Sequence, residues 1–277
     1  MFADLHLHTH FSDGTYSPEE LVAHARVQGL AAIALTDHDT VDGCPRAAAA
    51  AHAAGMEFVP GLELTADFDG HEIHLLGYFV DPADPSLRQS LERLQTMRQD
   101  RLKEMVGRLQ ARGISLRLET VLSLANCRAP GRPHVARALV QEKFCATVEE
   151  AFERFLKKDR PAFVPRERMA AAAGIGLLHE AGGVAVLAHP GIHRVDPFVP
   201  ALAAAGLDGL ECFHSRHSAA DSRKYLDLAA SLNLVATGGS DCHGLTKGRP
   251  LIGSVRVPLE CVARLQARRP RPATTAP

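Results

Sequence analysis

Residues 4–14 read Asp4-Leu5-His6-Leu7-His8-Thr9-His10-Phe11-Ser12-Asp13-Gly14, and this stretch constrains the chain more than any other. A period of two is that of a β-strand, so His6 and His8 share one face while Leu5 and Leu7 share the other. Two imidazoles at successive same-face positions can grip one metal ion, and the turn through Ser12-Asp13-Gly14 can return a carboxylate toward it. An affinity tag does not fit, because tags are contiguous and lack interleaved leucines. The fold must bring further ligands to the end of this strand.

Beyond Gly14 the chain alternates helix and strand. Ser17-Pro18-Glu19-Glu20 is helix-start chemistry and predicts a helix from Pro18 to Gln28, stopping at Gly29. The apolar run Ala31 to Leu35 is a buried strand delivering Thr36-Asp37-His38-Asp39. An Ala-rich helix over Cys44 to Ala54 ends at Gly55, and Met56 to Leu64 is a strand carrying Glu63 near its end. His71 to Val80 alternates again after the turn signal Asp69-Gly70. The alternation resumes beyond Arg168, with helices expected over 170–181, 198–205 and 219–232. Between and after them, strands lead into His189-Pro190-Gly191, His214 and Gly239-Ser240-Asp241-Cys242-His243. This order predicts an α/β parallel sheet or barrel with its ligands at the C-terminal strand ends.

The pattern breaks at Asp81-Pro82-Ala83-Asp84-Pro85. Ser86 is expected to cap a long helix with apolar positions at Leu87, Leu91, Leu94, Met97, Leu102, Met105 and Leu109, up to Gly113. Shorter helices are expected over 118–125, 134–141 and 147–156. The chain therefore divides into a discontinuous barrel, 1–85 and 166–267, a helical insertion, 86–165, and a flexible tail, 268–277, rich in Pro and Arg. Charge obeys the same division. From Ser86 to Arg168 there are 18 Lys and Arg against 10 Asp and Glu, and the remainder holds 13 against 22. The basic insertion suits an anionic substrate; the acidic barrel suits cations. Six cysteines without a framework spacing, no signal-peptide pattern and no apolar run of spanning length place the protein in the cytoplasm, away from membranes, as reduced thiols. No obligate protein partner is evident.

The strand ends offer His6, His8, Asp13, His38, Glu63, His74, His189, Asp241 and His243. Nine ligands exceed one tetrahedral ion and suit two or three divalent ions bridged by carboxylate, an arrangement that activates water and clamps a phosphoryl group. Imidazole and carboxylate without thiolate favour Mn²⁺, with Zn²⁺ or Fe²⁺ as alternatives. His10 reads as a residue bonding to a ligand more than as a ligand. Asp39 either orients His38 or begins the next turn, and Cys242 alternates toward the core. His24, His52 and His179 sit on helix surfaces, and His214 and His217 are candidates for lining the pocket.

Four blocks, His6-Leu7-His8-Thr9 with Ser12-Asp13-Gly14, Thr36-Asp37-His38-Asp39, Gly61-Leu62-Glu63 with His74, and Ala188-His189-Pro190 followed by Gly239-Ser240-Asp241-Cys242-His243, resemble the PHP (polymerase and histidinol phosphatase) family in order and spacing. The resemblance covers residues 1–80 and 166–250. It implies a distorted (β/α)7 barrel with a multinuclear metal centre that hydrolyses phosphate esters through a metal-bound hydroxide, with no protein nucleophile. It also implies an allocation: His6, His8, Glu63 and Asp241 on one ion, Glu63 bridging to a second with His74 and His189, and Asp13, His38 and His243 on a third. The insertion makes the chain similar to stand-alone members acting on nucleoside 3′,5′-bisphosphates and on the 5′ ends of short RNA.

For substrate phosphate, the rigid turn Gly131-Arg132-Pro133-His134 presents Arg132 and His134 at a helix start, where dipole and guanidinium both favour an anion. Arg160 is a further candidate, standing where relatives are expected to carry lysine. The competing readings are a histidinol-phosphate or general phosphomonoesterase, and a non-catalytic domain of the kind attached to polymerases. The complete ligand set speaks against the second.

Overall fold

The computed structural model describes residues 1–165 and 168–270. Nine strands form one sheet: β1 (Phe2–Asp4), β2 (Ala32–Leu35), β3 (Glu57–Phe68), β4 (His71–Tyr78), β5 (Met169–Ala170), β6 (Val184–Leu187), β7 (Gly209–His214), β8 (Val235–Gly239) and β9 (Val257–Pro258). Their order is β8-β7-β6-β4-β3-β2-β1-β9, with β5 on β3. Beyond β1 the chain runs beside the end of β8. There the Leu5 N–H donates to Gly238 O (3.2 Å), the Asp241 N–H to His6 O (2.9 Å) and the His8 N–H to Cys242 O (3.0 Å). The sheet thus nearly closes into the distorted barrel expected from the sequence.

One strand reverses. β1, β2 and β3 are mutually parallel, as are β6, β7 and β8, but β4 is antiparallel to both β3 and β6. The short turn at Asp69-Gly70 holds no crossover helix, so β4 can only return alongside β3. Thr65 lies opposite His74 in that register, and Glu63 opposite Leu76. His74 therefore reaches the end of the barrel that bears Glu63 from the first half of its own strand.

Helices pack outside the sheet. α1 (Pro18–Val27) carries the full capping box between Ser17 and Glu20, and α2 (Cys44–Ala53) follows β2. α3 (Pro85–Gln110) is capped by Asp84, whose carboxylate accepts the Leu87 N–H at 2.8 Å. The cap expected at Ser86 is corrected because Pro85 already occupies the first helical position. At its start α3 adds Leu87, Leu91 and Leu94 to the barrel's apolar cluster. Further along, Leu102, Met105 and Leu109 join a separate cluster with Val121, Leu139 and Leu156. The other contributors are α4 (Leu118–Ala125), α5 (Arg132–Gln141) and α6 (Val148–Ala151), the last continuing as a π-helical turn over Phe152–Leu156. After β5 come α7 (Ala171–Glu180), α8 (Pro190–His193), α9 (Val199–Ala204), α10 (Ala219–Ser231) and α11 (Glu260–Gln266). The two-residue β9 and the four-residue α8 are too short to leave a periodic signal.

Of the tail expected to be flexible, 271–277 lies outside the described residues. Arg268 and Arg269 are tied down, donating to Asn233 O and Gly182 O. Among the described residues no helix is long and apolar enough to cross a membrane.

Barrel closure rests on close backbone approach. A Cβ on Gly239 would lie 2.3 Å from His6 Cβ and 2.4 Å from His6 N. Gly239→Ala should cost about 1–3 kcal/mol, read as a lower urea midpoint, because the strands must separate. Gly176→Ala, inside α7 with nothing within 4 Å, should instead add up to about 1 kcal/mol from helix propensity.

Candidate metal centre

Glu63, 1% exposed, lies at the centre of the cluster. Its Oε1 is 2.6 Å from His74 Nδ1 and 2.9 Å from His189 Nε2. Its Oε2 is 3.2 Å from His6 Nε2, 3.2 Å from His8 Nε2 and 3.1 Å from His38 Nδ1. Asp241 Oδ1 is 3.2 Å from His8 Nε2 and 3.5 Å from His243 Nδ1, and its Oδ2 is 3.4 Å from His214 Nε2. Asp13 Oδ1 lies 3.2 Å from His243 Nε2 and 4.0 Å from His38 Nε2. All nine residues expected from the sequence meet in this one cluster.

Ligand atoms fall into overlapping groups, each within 4.8 Å: His6, His8, Glu63 and Asp241; His38, Glu63 and His74; His8, Asp13, His38 and His243; and His6, Glu211 and His214. His8 Nδ1 and Nε2, His38 Nδ1, His214 Nε2 and Asp13 Oδ1 are buried and make no hydrogen bond. Buried polar atoms without partners are costly, and here they converge with carboxylates and no thiolate. This donor set fits divalent cations that accept nitrogen and oxygen ligands.

Electrostatics agree. Burial pushes Glu63 up, but the imidazoles of His38, His74 and His6 outweigh it and hold the carboxylate well below its usual range. Burial acts downward on His243 and His74, yet Asp13 and Asp241 lift His243 to about 10 and Glu63 lifts His74 to about 9. Burial dominates at His38, which falls to about 3.

Several residues hold the ligands in place. Asp37, buried, accepts the Thr9 N–H (2.8 Å) and the Thr9 and Ser12 hydroxyls, which shapes the loop that returns Asp13. Asp39 does not orient His38: it accepts from the Thr65 N–H at 3.0 Å and pairs with Arg98 Nε at 2.6 Å. Asp4 accepts the Ser240 and Gly253 N–H groups at 2.8 and 2.9 Å, bracing the Asp241 loop. His189, Asp241 and Asp39 all have positive φ, of 27°, 54° and 48°, a backbone strain that concentrates at functional sites. His10 stays outside the ligand groups and stacks on Phe11, and Cys242 is buried in the core.

A cavity of about 140 Å³ opens beside the cluster, lined by Asp13, His38 and His74 together with Arg98, Arg101 and Arg132. A second, of about 380 Å³, shares Asp13, Pro133 and Phe152 with it and adds His243, Val148 and Lys157. Two of the expected substrate residues are placed differently. His134, 1% exposed, lies outside both linings and accepts the Gly131 N–H through Nδ1 at 3.0 Å, so it builds the turn that presents Arg132. Arg160 is exposed and also outside both linings, although Lys157 of the same turn lines the second.

Sequence reasoning missed Glu211 and Arg98. Glu211 pairs its Oε1 with His6 Nδ1 at 3.0 Å, which orients that imidazole, and accepts the His189 backbone N–H at 2.7 Å, which holds the main chain at His189. The available signal was a lone acid in the apolar strand Gly209–His214. Arg98 stands between Leu94 and Leu102 at helical spacing, a charge on the buried stripe of α3.

A nearly closed barrel with clustered imidazoles and carboxylates at its strand ends defines a metal-dependent hydrolase. Residues 4–158 match the model of the PHP domain. The chain is 32% identical over 256 residues to the 3′,5′-nucleoside bisphosphate phosphatase of Chromobacterium violaceum, covering 90% of each. It is 34% identical over 247 residues to the 5′-3′ exoribonuclease Rnm of Salmonella typhimurium, covering 87% of this chain and 84% of that one. Identity to the phosphoribosyl 1,2-cyclic phosphate 1,2-diphosphodiesterase of Eggerthella lenta is 32% over 266 residues, covering 93% and 100%. A metal-dependent phosphoesterase structure from Bifidobacterium adolescentis superposes with a TM-score of 0.89 at 32% identity, covering 97% of this chain and 96% of that one. The chain belongs to the PHP family and is a phosphoesterase dependent on divalent metal ions.

Without ions, His74 and His243 are protonated at neutral pH, since their raised pKa values of about 9 and about 10 lie above it. Despite its burial, His6 is likewise held well above its ordinary value by Glu211, Glu63 and Asp241; imidazole binds metal only when neutral, so uptake at pH 7 should release about three protons or more and affinity should rise with pH. Calorimetry in buffers of different ionisation enthalpy reads that release directly. Glu63→Gln, which removes the shared charge, should lower bound metal by roughly one ion per chain, measured by elemental analysis.

Proposed function

We propose that this chain removes the 3′-phosphate of nucleoside 3′,5′-bisphosphates, such as adenosine 3′,5′-bisphosphate, and by the same attack cleaves the first phosphodiester of short 5′-phosphorylated RNA. The observation that carries this reading is the cavity in which Arg98, Arg101 and Arg132 face His38, His74 and Asp13. A phosphate recognised by guanidinium therefore lies next to a phosphorus presented to the ions, and both groups belong to one small substrate. The names of the three relatives share a phosphorylated ribose.

In this reading His6, His8, Glu63 and Asp241 hold one ion, Glu63, His74 and His189 a second, and Asp13, His38 and His243 a third, with Mn²⁺ the preferred metal. Bound ions supply an activated water and a positive clamp on the phosphoryl oxygens. The chain's own contribution is alignment. Glu211 fixes the ring of His6 and the backbone of His189, Asp37 fixes the Asp13 loop, and Arg98, itself anchored by Asp39, lies against Gly131 beside Arg132. No thiol competes as nucleophile near the ligands: burial pushes Cys242 up and drives Cys212 to about 12. Residues 86–165 act as a cap that closes over the substrate, and six unpaired cysteines suit the cytoplasm.

The test is phosphate release from adenosine 3′,5′-bisphosphate by Mn-loaded protein, beside adenosine 3′-phosphate and histidinol phosphate. The bisphosphate should turn over fastest; a faster histidinol phosphate reaction would overturn the reading. Arg132→Ala should raise KM for the bisphosphate about tenfold to a hundredfold, the worth of a charged hydrogen bond to phosphate. That penalty should vanish with adenosine 3′-phosphate, which has nothing for Arg132 to hold.

A further inference from the structure

A third opening adjoins the cluster and has no part in bisphosphate hydrolysis. It is a cleft of about 580 Å³ lined by His214, Ser215, Arg216, His217, Arg249, Leu251, Ser254 and Val255. The lining carries two arginines and two histidines and no carboxylate. Arg216 and Arg249 are exposed, and among the described residues neither forms an ion pair. His214, 4% exposed, turns its Nε2 to Asp241 Oδ2 at 3.4 Å and accepts the Arg216 N–H through Nδ1 at 3.1 Å, and the buried Ser215 hydroxyl makes no hydrogen bond. A buried hydroxyl without a partner beside two exposed guanidinium groups, with no carboxylate in the lining, indicates a surface that is completed by an anionic, hydrogen-bonding ligand.

Its position relative to the arginine cavity suggests which ligand. The two openings share no lining residue, and the path of contacts between them runs through the cluster. His38, on the first opening, meets Glu63 at 3.1 Å; Glu63 meets His8 at 3.2 Å; His8 meets Asp241 at 3.2 Å; and Asp241 meets His214, on the second, at 3.4 Å. The ligand cluster therefore lies between two basic openings. The walls of this cleft are held firmly. His217 Nε2 accepts the Gly191 N–H at 3.3 Å and its Nδ1 lies 3.1 Å from Cys212 O, which joins the loop after β7 to the start of α8.

We propose that this cleft binds the phosphodiester on the 3′ side of the scissile bond, so that the substrate it serves is a single-stranded oligonucleotide. The inference rests on the 5′-phosphate reading above. A nucleoside bisphosphate fills the arginine cavity and the metal cluster and leaves this cleft vacant. An oligonucleotide continues past the ions, and its next phosphate meets Arg216 and Arg249. Bound this way, the strand spans both openings, and the released fragment leaves through the second.

The experiment uses the Mn-loaded full chain and the variant Arg216→Ala/Arg249→Ala. For each, kcat/KM is measured on adenosine 3′,5′-bisphosphate and on a 5′-phosphorylated triadenylate, and binding of a 3′-labelled 5′-phosphorylated triadenylate to the metal-free protein is followed by fluorescence anisotropy. The ratio of trinucleotide to bisphosphate kcat/KM should fall at least about tenfold in the variant. The slope of log affinity against log salt in the binding assay should become shallower by about 0.7, the contribution of one single-strand phosphate. An unchanged ratio overturns the proposal, as does an equal loss on both substrates, which would make the arginines supports of the metal centre. Failure of the underlying reading shows elsewhere, in wild-type protein that ignores the 5′-phosphate on both substrates.

Discussion

The structure depends on one buried carboxylate. Glu63 is removed from water and faces five imidazoles, four from beyond the ends of three strands and one from an antiparallel neighbour. An isolated buried carboxylate would cost several kcal/mol, so its ionised form persists only because cationic charge surrounds it on every side. That charge can come from protons on the imidazoles or from divalent ions. The same geometry that stabilises the carboxylate therefore places it between the groups of side chains that could hold ions.

The barrel is distorted in order to serve that point. A fully parallel barrel would need a crossover helix between β3 and β4; the hairpin at Asp69-Gly70 omits it and places His74 within 2.6 Å of Glu63. Closure between β1 and β8 requires glycine at 239, since any side chain would strike His6. The positive φ values at His189 and Asp241 turn those ligands inward just past their strands. Such strain survives only where neighbours over-determine it, and the buried carboxylates of Glu211 and Asp4 do so by accepting the backbone N–H groups of His189 and Ser240.

Basic surface surrounds this acidic core. α3 links the two, because its first turns pack on the barrel and its later turns on the helical layer, with Arg98 at the boundary held by Asp39. The clustered imidazoles and carboxylates and the arginine-lined cavity are thus mechanically coupled through one ion pair. Near-zero net charge conceals this separation, since the basic and acidic halves cancel in the sum.

Local pattern and chemistry were legible in the chain itself. Alternation placed His6 and His8 on one face, short apolar runs ending in His or Asp marked strand ends, and the resemblance of four blocks to one family identified the nine residues that meet in the cluster. The Gly-Arg-Pro turn at a helix start was legible as well, and the fold places Arg132 in a cavity beside the cluster. What only tertiary structure decided was the direction of β4, the supporting roles of Glu211, Arg98, Asp37 and Asp39, the enclosure of His134 and the exposure of Arg160. Each depends on which group lies opposite across elements distant in sequence, such as Glu211 and His6, 205 residues apart. Sequence periodicity reports the face on which a side chain lies; only the packed fold determines what that face meets, because partners for buried charge are chosen by distance in space.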